Sequence, residues 1–158
     1  PQGRAKEVFL RWAQLGAFNP VMENGGGGDH HPWAYDDETV GIYRRFAWLH
    51  HAMIPYLMSQ SVPRWDNGTS LMRFVDDETY AFYLGDDIFV QPIASGDLVQ
   101  VVEGPEDLEG RWVYLFDETI TLEAGVRIEL ETPLDAYPVF VRDSSVVYDA
   151  LSESLAQY

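Results

Sequence analysis

The sequence predicts an α+β chain, helical in its first part and antiparallel β in its second. Three observations predict it. Apolar residues recur at helical spacing, on more than one face, over 4–15 and again from Asp36 to about Met58. Beyond Pro63 the period shortens to two. Turn residues then punctuate the chain closely, at Gly85-Asp86, Ser95-Gly96, Gly104-Pro105, Glu109-Gly110, Ala124-Gly125 and Thr132-Pro133. Composition changes near residues 60–70, which predicts two units, 1–66 and 67–158.

In the first helix Val8, Leu10, Trp12 and Leu15 cover more than one face, and Gly16 is the expected stop. Ala17 to Met22 reads as a short extended strand, with Pro20 tolerable near its end. It runs into a glycine-rich loop that carries two histidines. A strand ending in a polar loop is how a (β/α) barrel presents chemistry at its carboxyl face. Asp36, Asp37 and Glu38 supply an N-cap and first-turn charge for the second helix, whose last turn Pro55 should loosen. One face carries Ile42, Phe46, Leu49, Met53 and Leu57; another carries Val40, Tyr43, Ala47, His50 and Ile54. Two apolar faces predict a helix covered on both sides. Strands are expected at 70–75, 79–84, 88–93, 98–102, 111–116, 120–122, 126–131 and 137–142, together an antiparallel sandwich.

Composition removes several function classes. Twenty-six acidic residues against ten basic ones give a formal net charge of −16, the wrong sign for nucleic acid or an anionic membrane. Cysteine is absent, so there is no disulfide, thiolate metal site or catalytic thiol. No apolar run approaches membrane-spanning length and no signal peptide is visible, so a soluble segment is expected and its compartment stays open. The first residue is not Met and a helix follows at once, which suggests an internal piece. Trp12, Trp48, Trp65 and Trp112 are expected in the core or between the units, with Trp65 over the seam.

The candidate site is the loop from Glu23 to Trp33. Sugar recognition needs fixed donors and acceptors for hydroxyls and an apolar face to stack on. His30 could donate, Asp29 could accept, Trp33 could form the wall, and the glycines would let backbone approach a ligand. Against this stands a plain flexible loop with Pro32-Trp33 tucked under a rim. No metal site is expected, because adjacent residues seldom share one ion and His-x₃-His spacing is absent. The glycines lack the Gly-Lys-Ser/Thr ending of a phosphate cradle. Asp76-Asp77-Glu78 and Asp86-Asp87 read as solvated turns.

Three stretches, in order, resemble glycoside hydrolase family 31. RWAQLGAFNPVM is similar to the passage into that family's last barrel strand. Tyr43-Arg44-Arg45 through Ile54-Pro55-Tyr56-Leu57 is similar to its last barrel helix. Leu84 to Ile93, with Gly110-Arg111-Trp112 and Tyr137 to Arg142, resembles its proximal C-terminal sandwich. The resemblance implies the last αβα portion of a (β/α)₈ TIM barrel followed by an antiparallel β-sandwich. It also departs from the family. Glu23 stands where the family often has Arg, Gly25 falls near its His, and Asp143-Ser144-Ser145 replaces a glycine in a turn. His30 would then supply the imidazole, with His31 as rival.

That resemblance implies one wall of a sugar subsite in a retaining α-glycoside hydrolase, α-glucosidase-like, acting without cofactor on α-linked oligosaccharides or glycosides. The two carboxyl groups of such a reaction lie on earlier barrel strands in this family, so no catalytic residue is assigned and the segment alone should be inactive. The rest of the parent barrel, or further copies of the chain, would cover its outer faces. The rival reading is a stand-alone carbohydrate-binding or structural β-sandwich module.

Overall fold

A computed structural model describes residues 5–25, 30–76 and 78–157. Helix α1 spans Lys6–Ala17 and buries Phe9, Leu10, Gln14 and Ala17. Gly16 lies inside it rather than ending it, and Phe18 is the C-cap. The strand expected at 17–22 does not form: helix continues to Ala17 and turns follow. A strand is held by ladder partners on its flanks, and none of the described strands pairs with this stretch.

Helix α2 spans Asp37–Asn67. Asp36 caps it, its carboxylate accepting from Thr39 N at 2.8 Å and Thr39 Oγ1 at 2.7 Å. The expected end near Met58 is overrun: the helix passes Pro55 and Pro63 and stops at Gly68, whose φ of 68° is left-handed. Burial of Tyr56 and Leu57 across the prolines offsets the lost backbone bonds. Lys6 joins the two helix starts through Asp36, at 2.8 Å, and Glu38.

All eight expected strands are present, mostly shorter than read: β1 Met72–Phe74, β2 Phe82–Leu84, β3 Ile88–Val90, β4 Val99–Glu103, β5 Trp112–Tyr114, β6 Asp117–Leu122, β7 Arg127–Glu131 and β8 Val139–Arg142. Six form one sheet in the order β1-β2-β3-β8-β5-β6, and β4 pairs with β7 apart from it. Every pairing is antiparallel. A third helix, α3 (Val146–Ala156), follows β8 with Ser145 as its cap, so the altered turn at 143–145 leads into a helix not predicted from the sequence.

The large sheet is covered on both faces. Phe82, Leu84, Ile88, Val90, Val139 and Val141 pack with Phe9, Phe46, Leu49, Met53, Val147 and Leu151 of the helices. Tyr83, Phe89, Trp112 and Phe140 pack with Val102 and Leu130 of the β4–β7 pair. The helices, the large sheet and the small sheet are therefore stacked layers. The α2 face carrying Ile42, Phe46, Leu49, Met53 and Leu57 is buried as expected. Its opposite side stays open: Ile54, Met58, Val62 and Trp65 follow one another at four-, four- and three-residue steps and all are exposed. Of the four tryptophans expected inside, Trp112 is buried, whereas Trp12, Trp48 and Trp65 are exposed, Trp65 at 88%. Trp65 thus covers no seam among the described residues.

Candidate functional site

The segment leaving α1 folds back beside that helix and meets the start of α2. Between them lies a cleft of about 260 Å³ lined by Phe9, Asn19, Glu23, Asn24, His30 and Tyr43, among others. Phe9 organises its aromatic side, stacking on Tyr35 at 5.0 Å and on Tyr43 at 5.7 Å between centroids. His30 is buried. Its backbone carbonyl accepts from Asn24 Nδ2 at 2.7 Å, a tie across the glycine loop. From the other side, His50 of α2 meets the carbonyl of Ala17 through Nδ1 at 2.9 Å, fixing the end of α1 from which the site segment departs.

The four candidate residues do not all converge. His30 and Glu23 line the same cleft, with Glu23 exposed at its mouth. Asp29 lies outside the described residues. Trp33 sits on a short 3-10 turn, Pro32–Ala34, and lines a different hollow from His30. There it stacks on His31, with centroids 4.6 Å apart and planes 3° from parallel. The pair borders a neighbouring hollow of about 450 Å³ with Val40, Arg44 and Ala47. Asn24 and Tyr43 line both spaces and form the divide. The rival imidazole, His31, therefore belongs with Trp33 rather than with the cleft.

Sequence reasoning passed over Asn24, Asn19 and Tyr43. Asn24 sits beside the glycine run, where a polar loop residue attracts no notice. Asn19 lines the cleft and its buried side-chain carbonyl has no hydrogen-bond partner among the described residues. Tyr43 was read as part of a helix face, and that face is what it presents to the cleft.

The remaining polar clusters have structural duties. Asp76 accepts from the backbone of Glu78 and Thr79 at 2.8 and 2.6 Å, as a turn residue does; Asp77 lies outside the described residues. Asp86 pairs with Arg64, and Asp87 lies 3.2 Å from Arg142. Burial pushes the Asp87 carboxyl up, against the pull of Arg142. His51 is exposed and meets Trp48 edge-on at 5.3 Å, so this pair is not in the core. Among the described residues no group of three His, Cys, Asp or Glu side chains is placed to hold a metal ion. Among the described residues, too, no helix is long and apolar enough to cross a membrane.

The cleft can therefore offer an imidazole, a carboxylate, an amide and an aromatic side to a polyhydroxylated ligand. Glu23 is its one carboxylate among the described residues. Retaining glycoside chemistry uses two, about 5–5.5 Å apart.

Residues 2–60 match the family model for the Glycosyl hydrolases family 31 TIM-barrel domain. The chain is 28% identical to a 1,3-alpha-isomaltosidase of Kribbella flavida, over 87% of this chain and 22% of that protein. It is 30% identical to a sulfoquinovosidase of Escherichia coli, over 90% of this chain and 22% of that protein. Among solved structures, a Flavobacterium johnsoniae family 31 dextranase complexed with isomaltotriose superposes with a TM-score of 0.76 at 28% identity, over 89% of this chain and 18% of that one. A family 31 sulfoquinovosidase from E. rectale superposes with a TM-score of 0.81, over 98% of this chain and 25% of that one; at 24% identity this likeness concerns the fold. The chain thus spans about a fifth of the length of the curated relatives it matches.

Proposed function

The chain is homologous to one segment of the glycoside hydrolase family 31 enzymes, and from that premise we propose that it supplies one wall of the sugar subsite in a retaining α-glycoside hydrolase. The single observation that carries this reading is His30, buried beside the cleft between α1 and α2. The cleft lies within the stretch that matches the family's catalytic barrel. His30 donates to a ring hydroxyl of the substrate, and Glu23 at the mouth accepts from another. Asp29 belongs to the same loop, and Trp33 lines the hollow beside the cleft. The nucleophile and the acid/base are supplied by polypeptide outside this chain.

The substrate is an α-linked oligosaccharide or glycoside, α-glucoside foremost. Relatives named as an isomaltosidase, an α-glucosidase and an α-xylosidase support that class. The stretch 1–66 belongs to the end of the (β/α)₈ barrel, where the described residues supply its two helices but no strand between them, and 67–158 is the attached antiparallel β-sandwich. The open stripe of Ile54, Met58, Val62 and Trp65 on α2 supports this division, because an apolar helix face of that length calls for a covering layer. The rest of the barrel is that layer. A stand-alone binding module has no use for the stripe.

The test is His30→Ala in the full-length enzyme that contains this segment. Loss of a buried donor to substrate should lower kcat/KM on α-glycosides about tenfold to a hundredfold. Wild-type kinetics would remove His30 from the site.

A further inference from the structure

We propose that the His31–Trp33 ring pair is the platform for the leaving-group sugar, the pyranose on the far side of the scissile bond from the ring held at His30. The inference rests on the proposed glycosidase reading and adds a second binding surface to it. Cleaving a glycosidic bond between two sugars requires a place for each. Two hollows meet here, and Asn24 and Tyr43 line both. A ligand that crosses the divide touches both residues and reaches from one space into the other.

The second hollow has the chemistry of a sugar ring's surroundings. A pyranose offers an apolar face of C–H groups and a rim of hydroxyls. Trp33 lies nearly parallel to His31, and although stacked it remains 70% exposed, so much of its surface is open to a ligand. Burying such a large apolar ring against a flat partner is favourable, and exposure at this level in a built hollow invites one. Val40 and Ala47 continue the apolar lining, and the exposed guanidinium of Arg44 stands at the edge to donate to hydroxyls. Its volume, about 450 Å³, falls in the range of small-molecule sites. The two imidazoles thus divide the work: His30 faces the ring that reacts and His31 backs the ring that leaves.

The experiment compares two substrates with the same reacting glucose, an α-linked glucose disaccharide and methyl α-glucoside, in the full-length enzyme. For each variant the quantity read is the ratio of their kcat/KM values. Trp33→Ala should lower that ratio about threefold to tenfold, the loss of one ring stack. Trp33→Phe keeps an aromatic face and should retain most of the ratio, which separates a lost stack from a misfolded loop. His31→Ala should move the ratio in the same direction by a smaller factor. An unchanged ratio in Trp33→Ala, including an equal fall on both substrates, overturns the proposal and assigns Trp33 to packing against neighbouring polypeptide. His30→Ala in the same assay judges the underlying reading separately, since it should depress both substrates alike.

Discussion

Removing a single oxygen atom from Tyr56 should loosen the attachment of α2 to the sheet. The Tyr56 hydroxyl donates to the carbonyl of Leu84 at 3.0 Å and accepts from the backbone N–H groups of Asp86 and Asp87, each at 2.9 Å. Tyr56 is 5% exposed, so water does not readily replace it. Gly85, at a φ of +66°, makes room: a β-carbon there would stand 2.3 Å from the Tyr56 oxygen. Tyr56→Phe keeps the ring and strands three polar groups. A buried group left without its partner costs roughly 1–3 kcal/mol. Asp86 is exposed and Asp87 half-buried, so their N–H groups recover part of the loss from water. The expected destabilisation is about 2–4 kcal/mol, which with a urea m-value of roughly 2 kcal/mol/M lowers the unfolding midpoint by about 1–2 M. A second readout is the alkaline limb. Burial pushes the Tyr56 hydroxyl up to about 12, so the folded state holds a proton that the unfolded chain releases near 10. Its contribution is complete below pH 10 and is lost as pH rises through about 12, and Tyr56→Phe should make that limb shallower. A midpoint within about 0.3 M of wild type would refute the reasoning, since it would mean the three contacts contribute nothing net.

Two further substitutions test other joints. Gly104→Ala puts a methyl group 2.0 Å from the carbonyl oxygen of Glu123, and backbone cannot swing aside as a side chain can; a loss of about 2–3 kcal/mol in denaturant unfolding is expected, and neutral behaviour would show that the β4 end can shift. The hydrogen bond from Lys6, followed by those from Thr39, holds the Asp36 carboxyl down at about 2, so its stabilising charge is present above pH 3.8 and lost as pH falls through about 2. Asp36→Asn keeps a capping group but removes the charge, and acid unfolding followed by circular dichroism should lose steepness in that window. An acid limb identical to wild type would show that this carboxylate is not coupled to folding.

The β half was legible because its signals are local. Gly85, Gly110 and Gly125 all adopt positive φ at turns that glycine marks in the sequence. Strand ends were less legible: β3 stops at Val90 where 88–93 was expected, as Pro92 lacks an N–H for a ladder. The expected end of α2 near Met58 follows from Pro55, a local breaker, whereas the burial of Tyr56 and Leu57 just past it is a tertiary fact. The segment 17–22 shows the converse. Its pattern suits a strand, but strand formation needs neighbours and none of the described strands lies against it. Helix α3 has a readable cap in Ser145 and buried positions at Val147 and Leu151, signals that lie just beyond the turn expected at 143–145. In the site, the chemistry of sugar recognition singles out His30, Asp29 and Trp33, and the resemblance puts His30 first. That a three-residue 3-10 turn sends Trp33 to a different hollow depends on backbone direction, which residue types do not encode one by one.

The position of β8 has a consequence for how the chain comes off the ribosome. The last strand in sequence lies in the middle of the large sheet, with Ile88 of β3 on one side and Val113 of β5 on the other both opposite Val141. Until residues 139–142 emerge, the β1–β3 meander and the β5–β6 hairpin are separate pieces, each with an apolar edge strand and no partner. Nascent chains therefore pass through a stage with two sticky edges, and only the emergence of residues 139–142 closes them. A stop before Val139 would leave not a slightly shorter protein but one whose sheet is split down the centre.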